Sequence, residues 1–464
     1  MNTNRVLISC LVIILVACLC LSVMAVAGGA IFLINERTVT GSDPVATSPA
    51  AGEKTPAPTS AAVDGQNLPA DVTAQMDGIE EEVAGLRELP ASGQVSRAVL
   101  TPDQLRERVV NDFLQDYTPE DAELDVIALA AFGLVEPGLD LVSLYEELLT
   151  EQIAGFYDDE TKEMYVIQGE SFTGVERMTY AHEYVHALQD MNFGIREGLG
   201  YDDDLCEADS ERCAAIQALL EGDASLAEQL WLYDHASEQD LSDIMDFFNQ
   251  YASPIFDSAP AFLQQDFLFP YLSGMSFVES LYEQGGWQAV NQAYSEPPLS
   301  TEQILHPERY PSDQPQAVQL PDLSTALGSG WEQIDADVLG EWYTYLVLAY
   351  GSNPDARLGD SEARKAAEGW GGDAYQVLYN QTTGQSVLVL KSTWDSGRDA
   401  SEFASALQDY AGLRFNTSPA REGARWIWET SQVYSLFSLE GSTTLWIVAP
   451  DQAAAESLVS AALP

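Results

Sequence analysis

Two histidines four residues apart with a glutamate directly after the first, His182-Glu183-Tyr184-Val185-His186, form an H-E-x-x-H sequence. On a helix, a spacing of four brings both imidazoles to one face, one turn apart, where they can share a single metal ion. Glu183 stands about 100° round the helix from His182, so its carboxylate can act as a general base on the ion's water without being a ligand. The chain contains only four histidines among 464 residues, which makes a chance occurrence rare. The alternative is a pair of histidines on a helix surface. A catalytic zinc ion (Zn2+) needs a third protein ligand and one open position. Glu221, 35 residues after His186, is the leading candidate, within Ala218-Leu219-Leu220-Glu221-Gly222-Asp223-Ala224, whose small residues permit close helix packing. Asp223 and Asp190 are the alternatives, and Asp223 is also suited to orienting a ligand histidine.

The elements that must position these residues can be outlined from pattern. Val175, Met178, Val185 and Leu188 recur at helical spacing and predict a helix from about Thr173 to Met191 around the motif. Before it, Gly155-Phe156-Tyr157-Asp158 and Met164-Tyr165-Val166-Ile167 flank an acidic turn and predict a β-hairpin. Helices are expected from Asp71, after Thr101-Pro102 and Thr118-Pro119, and from about Leu139 to Ile153. Mostly helical sequence continues to about Tyr350. After Gly369 the pattern changes. Strands are expected at Tyr375–Tyr379, Ser386–Leu390, Arg425–Glu429, Val433–Leu439 and Thr443–Val448, with a helix from Asp399 to Tyr410 and a short helix at the C-terminus. The aromatic runs Phe267-Leu268-Phe269-Pro270-Tyr271 and Glu341-Trp342-Tyr343 read as core.

Composition bounds the partners. With 73 acidic against 20 basic side chains, the formal charge is −53, so nucleic acid is not an expected partner. A 46% hydrophobic content supplies a core and excludes disorder for most of the chain. Residues 1–5 carry Arg5 before an apolar run at 6–34, long enough to span a bilayer, and this predicts a single-pass membrane anchor with the body exported. Two rivals use the same stretch: lipidation at Cys18, within Leu15-Val16-Ala17-Cys18, and cleavage after Ala25-Val26-Ala27. Residues 35–70, rich in Pro, Thr, Ser and Ala, read as a linker. Cys206 and Cys213 are a plausible disulfide, provided that a loop crosses 207–212, because seven helical residues would separate their Cα atoms by about 10 Å.

On these motifs the chain resembles the zincin metallopeptidases of the gluzincin type, in which a glutamate is the third zinc ligand. It is also similar to a group of exported bacterial and archaeal metallopeptidases through Glu151-Gln152-Ile153-Ala154-Gly155-Phe156-Tyr157-Asp158, Ala181–Asp190, Glu221-Gly222-Asp223-Ala224, Ser300–Pro307 and Gly369-Trp370-Gly371-Gly372-Asp373. The gap between His186 and Glu221 is longer than in the better-known gluzincins and holds the cysteine-bearing acidic insertion. The resemblance implies an edge strand before the metal-binding helix that pairs with an extended substrate, a place that Met164–Ile167 occupies. It also implies a donor to the developing oxyanion, for which His306 is the candidate; the alternative is a histidine of purely local role beside Pro307.

The expected fold is α+β: a mainly helical zincin-like metallopeptidase domain with a small edge β-hairpin over 71–365, followed by a small α+β unit over 366–464. The expected function is a membrane-anchored, extracytoplasmic zinc metallopeptidase acting on peptide or protein, with His182, His186 and Glu221 holding zinc and Glu183 as general base. The rival is a catalytically silent, surface-anchored binding or structural protein of the same fold.

Overall fold

The computed structural model describes residues 68–101, 103–104, 106–108, 114, 117–152, 155–167 and 172–463. The expected anchor at 6–34, most of the linker, the lipidation site Cys18 and the helix expected after Pro102 as far as Phe113 lie wholly or mostly outside the described residues. No helix among the described residues is long and apolar enough to cross a membrane. The membrane anchor and the cell-membrane location inferred from it are therefore withdrawn. The span Ala261–Ser295, broken at Gly285–Gly286, carries Asp266, Glu279 and Glu283, and most of its apolar side chains, though not Leu272, are in the protein core.

The fold is α+β. Helix α1 (Ala70–Arg87) buries Met76, Ile79 and Val83 at spacings of three and four. Strand β1 (Ser96–Leu100) follows, then α2 (Pro119–Phe132) and α3 (Leu141–Gln152). At the start of α2 the Thr118 hydroxyl accepts from Asp121 N and the Asp121 carboxylate accepts from Thr118 N, a reciprocal cap. Strands β2 (Gly155–Asp158) and β3 (Glu163–Ile167) make the hairpin, with Tyr157 opposite Met164. β1 pairs in parallel with β3, so the sheet order is β1-β3-β2. Met164–Ile167 is thus the middle strand and not the edge expected of it. The strand bordering the motif helix is β2, because β1, a strand that no pattern in the sequence marks, covers the far side of β3.

Helix α4 (Gly174–Phe193) carries H-E-x-x-H and is buried almost all round from Gly174 to Gln189. It packs against α1, the hairpin, α6 (Ser210–Asp234) and α7 (Glu238–Gln250). Between α4 and α6 lies the short α5 (Asp203–Ala208). Cys206 and Cys213 are bonded, with Cα atoms 5.0 Å apart. The expected loop shrinks to one residue: Asp209 (φ −159°, ψ 82°) breaks the helix, and its side chain accepts from Arg212 N to start α6. The chain continues through α8 (Pro254–Ser258), α9 (Ala261–Ser295) and α10 (Thr301–Leu305). Helices α6 and α9 cross with backbone against backbone. A Cβ added at Gly222 would stand 2.2 Å from the Gly274 carbonyl, and one at Gly274 would stand 2.1 Å from Ala218 O. The aromatic runs are core, as Phe269 stacks on Trp342 at 4.5 Å and Trp342 and Tyr343 both donate to the buried Asp266.

The remainder is a seven-stranded antiparallel sheet with helices on both faces. After α11 (Ser324–Leu327) come β4 (Glu332–Asp337), α12 (Gly340–Ala349), α13 (Asp360–Ala367), β5 (Trp370–Asn380), β6 (Gln385–Trp394), α14 (Gly397–Arg414), β7 (Ala420–Glu422), β8 (Arg425–Glu429), β9 (Tyr434–Glu440), β10 (Thr443–Ala449) and α15 (Gln452–Ala462). The order is β4-β5-β6-β10-β9-β8-β7. Val387 and Val389 face the core under α15, whereas Leu388 and Leu390 join the main core on the other face. Burial on both faces explains why this strand reads as an unbroken apolar run.

Candidate metal centre

Helices α4 and α6 bring His182, His186 and Glu221 together. Their ligand atoms lie within 4.8 Å of one another, and all three residues are buried. Glu221 Oε2 is 3.2 Å from His182 Nε2 and 3.4 Å from His186 Nε2. Ligands at zinc distances of about 2.0–2.2 Å in a tetrahedron are separated by about 3.4 Å along each edge, so these spacings suit one ion. His186 Nε2 is buried and has no well-formed hydrogen bond of its own. That is the state of an atom whose lone pair is reserved for something else.

The groups behind the histidines set their tautomers. His182 Nδ1 lies 2.9 Å from Glu228 Oε2, a carboxylate that accepts a hydrogen bond from Nδ1–H and so turns Nε2 toward Glu221. His186 Nδ1 lies 2.9 Å from Gln189 Oε1. The amide orientation of Gln189 is fixed, because its Nε2 donates to Leu220 O (3.0 Å) and Asp223 Oδ2 (3.1 Å), both acceptors. Its oxygen must therefore face His186, which donates from Nδ1 and presents Nε2 to the cluster. Asp223 is itself held by Arg87, with Nε to Oδ1 at 2.6 Å, and by the Tyr294 hydroxyl at 2.5 Å. It thus supports a histidine, but through Gln189 rather than by direct contact. Gln189→Ala should weaken zinc affinity about 10–100-fold while leaving the fold intact, read by competition with a chelator.

The electrostatics follow from this crowding. Burial disfavours a charged His182, but hydrogen bonds to Glu221 and Glu228 outweigh it and raise the imidazole pKa to about 10. Burial likewise pushes Glu221 up, and the His186 charge with the bonds to both histidines overcomes this and brings it to about 2. Both shifts favour a positive charge shared between the imidazoles and Glu221, the place a cation held by the same three groups would take.

Glu183 is 1% exposed, and its Oε2 accepts from the backbone N–H of Tyr157 on β2 at 2.9 Å. The hairpin thus reaches the motif helix through the residue suited to be the general base. A cavity of about 10 Å³ lies against His186 and Glu221, with Tyr157, Tyr201 and Gln217 also in its wall. That is room for about one water.

Other expected residues lie elsewhere. Asp190 is not in the cluster: its Oδ2 accepts from Tyr157 OH (2.8 Å) and pairs with Lys162 (2.7 Å), and its Oδ1 accepts from Ile195 N. His306 caps the end of α10, its Nε2 lies 2.9 Å from Glu341 Oε1, and it is not part of the cavity wall. Sequence reasoning missed Glu228, Gln189 and the Tyr157 amide. The first had a signal. Seven residues from Glu221 is nearly two whole turns, which puts both carboxylates on one face of α6.

Among known proteins, a family described as "Domain of unknown function (DUF8575)" matches residues 327–459. No curated protein and no solved structure matches the chain. The matched stretch runs from the end of α11 to within α15 and so covers the seven-stranded sheet. It leaves out both helices of the metal cluster, and what it establishes is a family likeness for the C-terminal sheet unit alone.

Proposed function

We propose that the chain is a zinc-dependent peptidase of zincin type. The observation that carries this reading is the convergence of two tautomer-fixed imidazoles and Glu221 at tetrahedral spacing, with the Glu183 carboxylate one residue from the first ligand. His182, His186 and Glu221 would hold the ion, and when bound it supplies Lewis acidity to a water and to the scissile carbonyl. Glu183 takes the proton of the attacking water on its carboxylate and delivers it to the leaving amine nitrogen. The Tyr157 N–H keeps that carboxylate in place. Glu228 and Gln189 keep both imidazoles as Nδ1–H tautomers, and Arg87 and Asp223 keep Gln189 from turning over. His306 has no part in this arrangement.

Burial of the cluster favours a second reading, a silent zincin-fold binding protein that holds metal without turnover. One experiment separates them. The purified full chain should carry about one zinc per molecule and cleave an unfolded protein such as reduced, alkylated casein. A chelator should abolish cleavage and added zinc restore it. Full zinc content with no cleavage of any unfolded substrate would select the silent protein.

A further inference from the structure

The cluster is nearly closed to solvent. His182 is 0%, Glu221 1% and His186 7% exposed, and the cavity beside them holds about 10 Å³. Small-ligand pockets run to roughly 300–1,000 Å³, so no peptide enters this form. Its roof has two parts. Tyr157 and Asp159 come from the hairpin, and Ile195 and Tyr201 from the segment that follows α4. That segment is knitted by its own backbone: Gly198 and Leu199 N–H donate to Gly194 O, Gly200 N–H to Arg196 O and Tyr201 N–H to Ile195 O. It holds its shape as a unit. The ties between the two parts are mainly ionic. Arg196 Nε meets Asp159 Oδ2 at 2.8 Å and its terminal nitrogen meets Glu160 Oε1 at 3.1 Å. Beside them Lys162 Nζ ties the hairpin to Asp190 of α4 at 2.7 Å, and Asp190 Oδ1 in turn accepts from Ile195 N. Only 20 of the chain's residues are Lys or Arg against 73 Asp or Glu, yet Arg196 is spent on this seam and Lys162 on the hairpin's neighbouring tie to α4.

We propose that the two Arg196 pairs, braced by Lys162–Asp190 beside them, are a latch between the β2–β3 hairpin and the 194–201 segment, which shuts the metal cluster and holds the Glu183 carboxylate against the Tyr157 amide until it is released. The proposal rests on the peptidase reading for its purpose. Parting the hairpin from the 194–201 segment does two things at once: it opens the cavity at Tyr157 and Asp159, and it withdraws the amide from Glu183. Arg196 is 31% and Glu160 66% exposed, whereas Asp159 is 15% and Asp190 5% exposed, so salt screens the Arg196–Glu160 pair most and the other two less. The Debye length falls from about 10 Å at 0.1 M salt to about 3 Å at 1 M. Exposed pairs are individually weak, which makes such a latch reversible.

Amide hydrogen exchange at Tyr157 in the full chain reads the latch whether or not metal is bound. Relative to Leu388 in β6, Tyr157 should exchange about 3- to 10-fold faster in Arg196→Gln, and in the parent at 1 M KCl. Salt should add nothing further in the variant, and Arg196→Lys should restore slow exchange. If Tyr157 exchange is unchanged in Arg196→Gln, or if Leu388 accelerates equally, there is no latch. The rate of zinc transfer to a chromogenic chelator and the cleavage of casein follow in the same samples. Faster Tyr157 exchange in a chain that cleaves nothing would leave the latch standing and remove the peptidase.

Discussion

Glu183→Gln should abolish turnover and leave the protein otherwise as it was. The amide fills the volume of the carboxylate, and its oxygen can still accept from the Tyr157 N–H that lies 2.9 Å from Oε2. Zinc content should stay at the parent level because Glu183 is not among the three convergent ligands. What is lost is the group that takes a proton from water. General acid–base assistance contributes about 10²–10⁴ in rate, so kcat should fall at least that far on any peptide the parent cleaves. Measuring kcat and zinc content in the same preparation decides the matter. A variant with parental zinc and parental kcat would place the base on another residue and leave Glu183 without a catalytic role.

Glu221→Ala should cost more zinc affinity than Gln189→Ala. Removing Glu221 takes away a donor atom, 3.2 Å and 3.4 Å from its two partners, and leaves two imidazoles to hold an ion that prefers four ligands. Losing an outer partner costs about 10–100-fold, and a lost ligand should exceed that range in a chelator competition. Glu228→Gln is the control, since its oxygen can still accept from His182 Nδ1, 2.9 Å from Glu228 in the parent. Equal affinities for Glu221→Ala and the parent would show that the third ligand is another group.

The parts of the fold that the sequence disclosed are those governed by short-range pattern. H-E-x-x-H required a helix, and α4 is one. The acidic turn between Asp158 and Glu163 required a hairpin, and β2 and β3 make it. Five of the seven strands of the C-terminal sheet announced themselves by their apolar runs, and the short, fully exposed β7 did not. Features set by distant contacts were hidden. β4 reads Glu-Gln-Ile-Asp-Ala-Asp and looks like loop; its strand character comes from pairing with β5, where Asp335 accepts from the Tyr375 hydroxyl. β1 became visible only through its parallel pairing with β3, and it turned the expected edge strand into a middle one. At the site, local spacing found His182, Glu183 and His186. Glu221 stood out by its small neighbours, and Glu228 could have been found by counting two turns. Nothing local shows that Arg87, 136 residues before Asp223, would fix the Gln189 amide, or that His306 would be taken by Glu341.

The bare crossing of α6 and α9 has a bearing on how this chain can change over generations. Gly222 sits between Glu221 and Asp223, so a spot where two helices touch without side chains is also the spot that sets where a candidate metal ligand and its outer support stand. Most helix contacts absorb a substitution by re-choosing rotamers. At this crossing there are none to choose, and an added methyl must lever one helix away from the other. A displacement of about 1 Å can cost 10²-fold in a reaction that depends on aligned groups. Positions 222 and 274 are therefore under a packing constraint, which on the peptidase reading is also a chemical one although neither residue has a side chain to do chemistry with. On the peptidase reading, a lineage free to drift there would be one without the reaction, so alanine or serine at either position in a related chain would mark a silent site more plainly than a change on the protein's acidic surface.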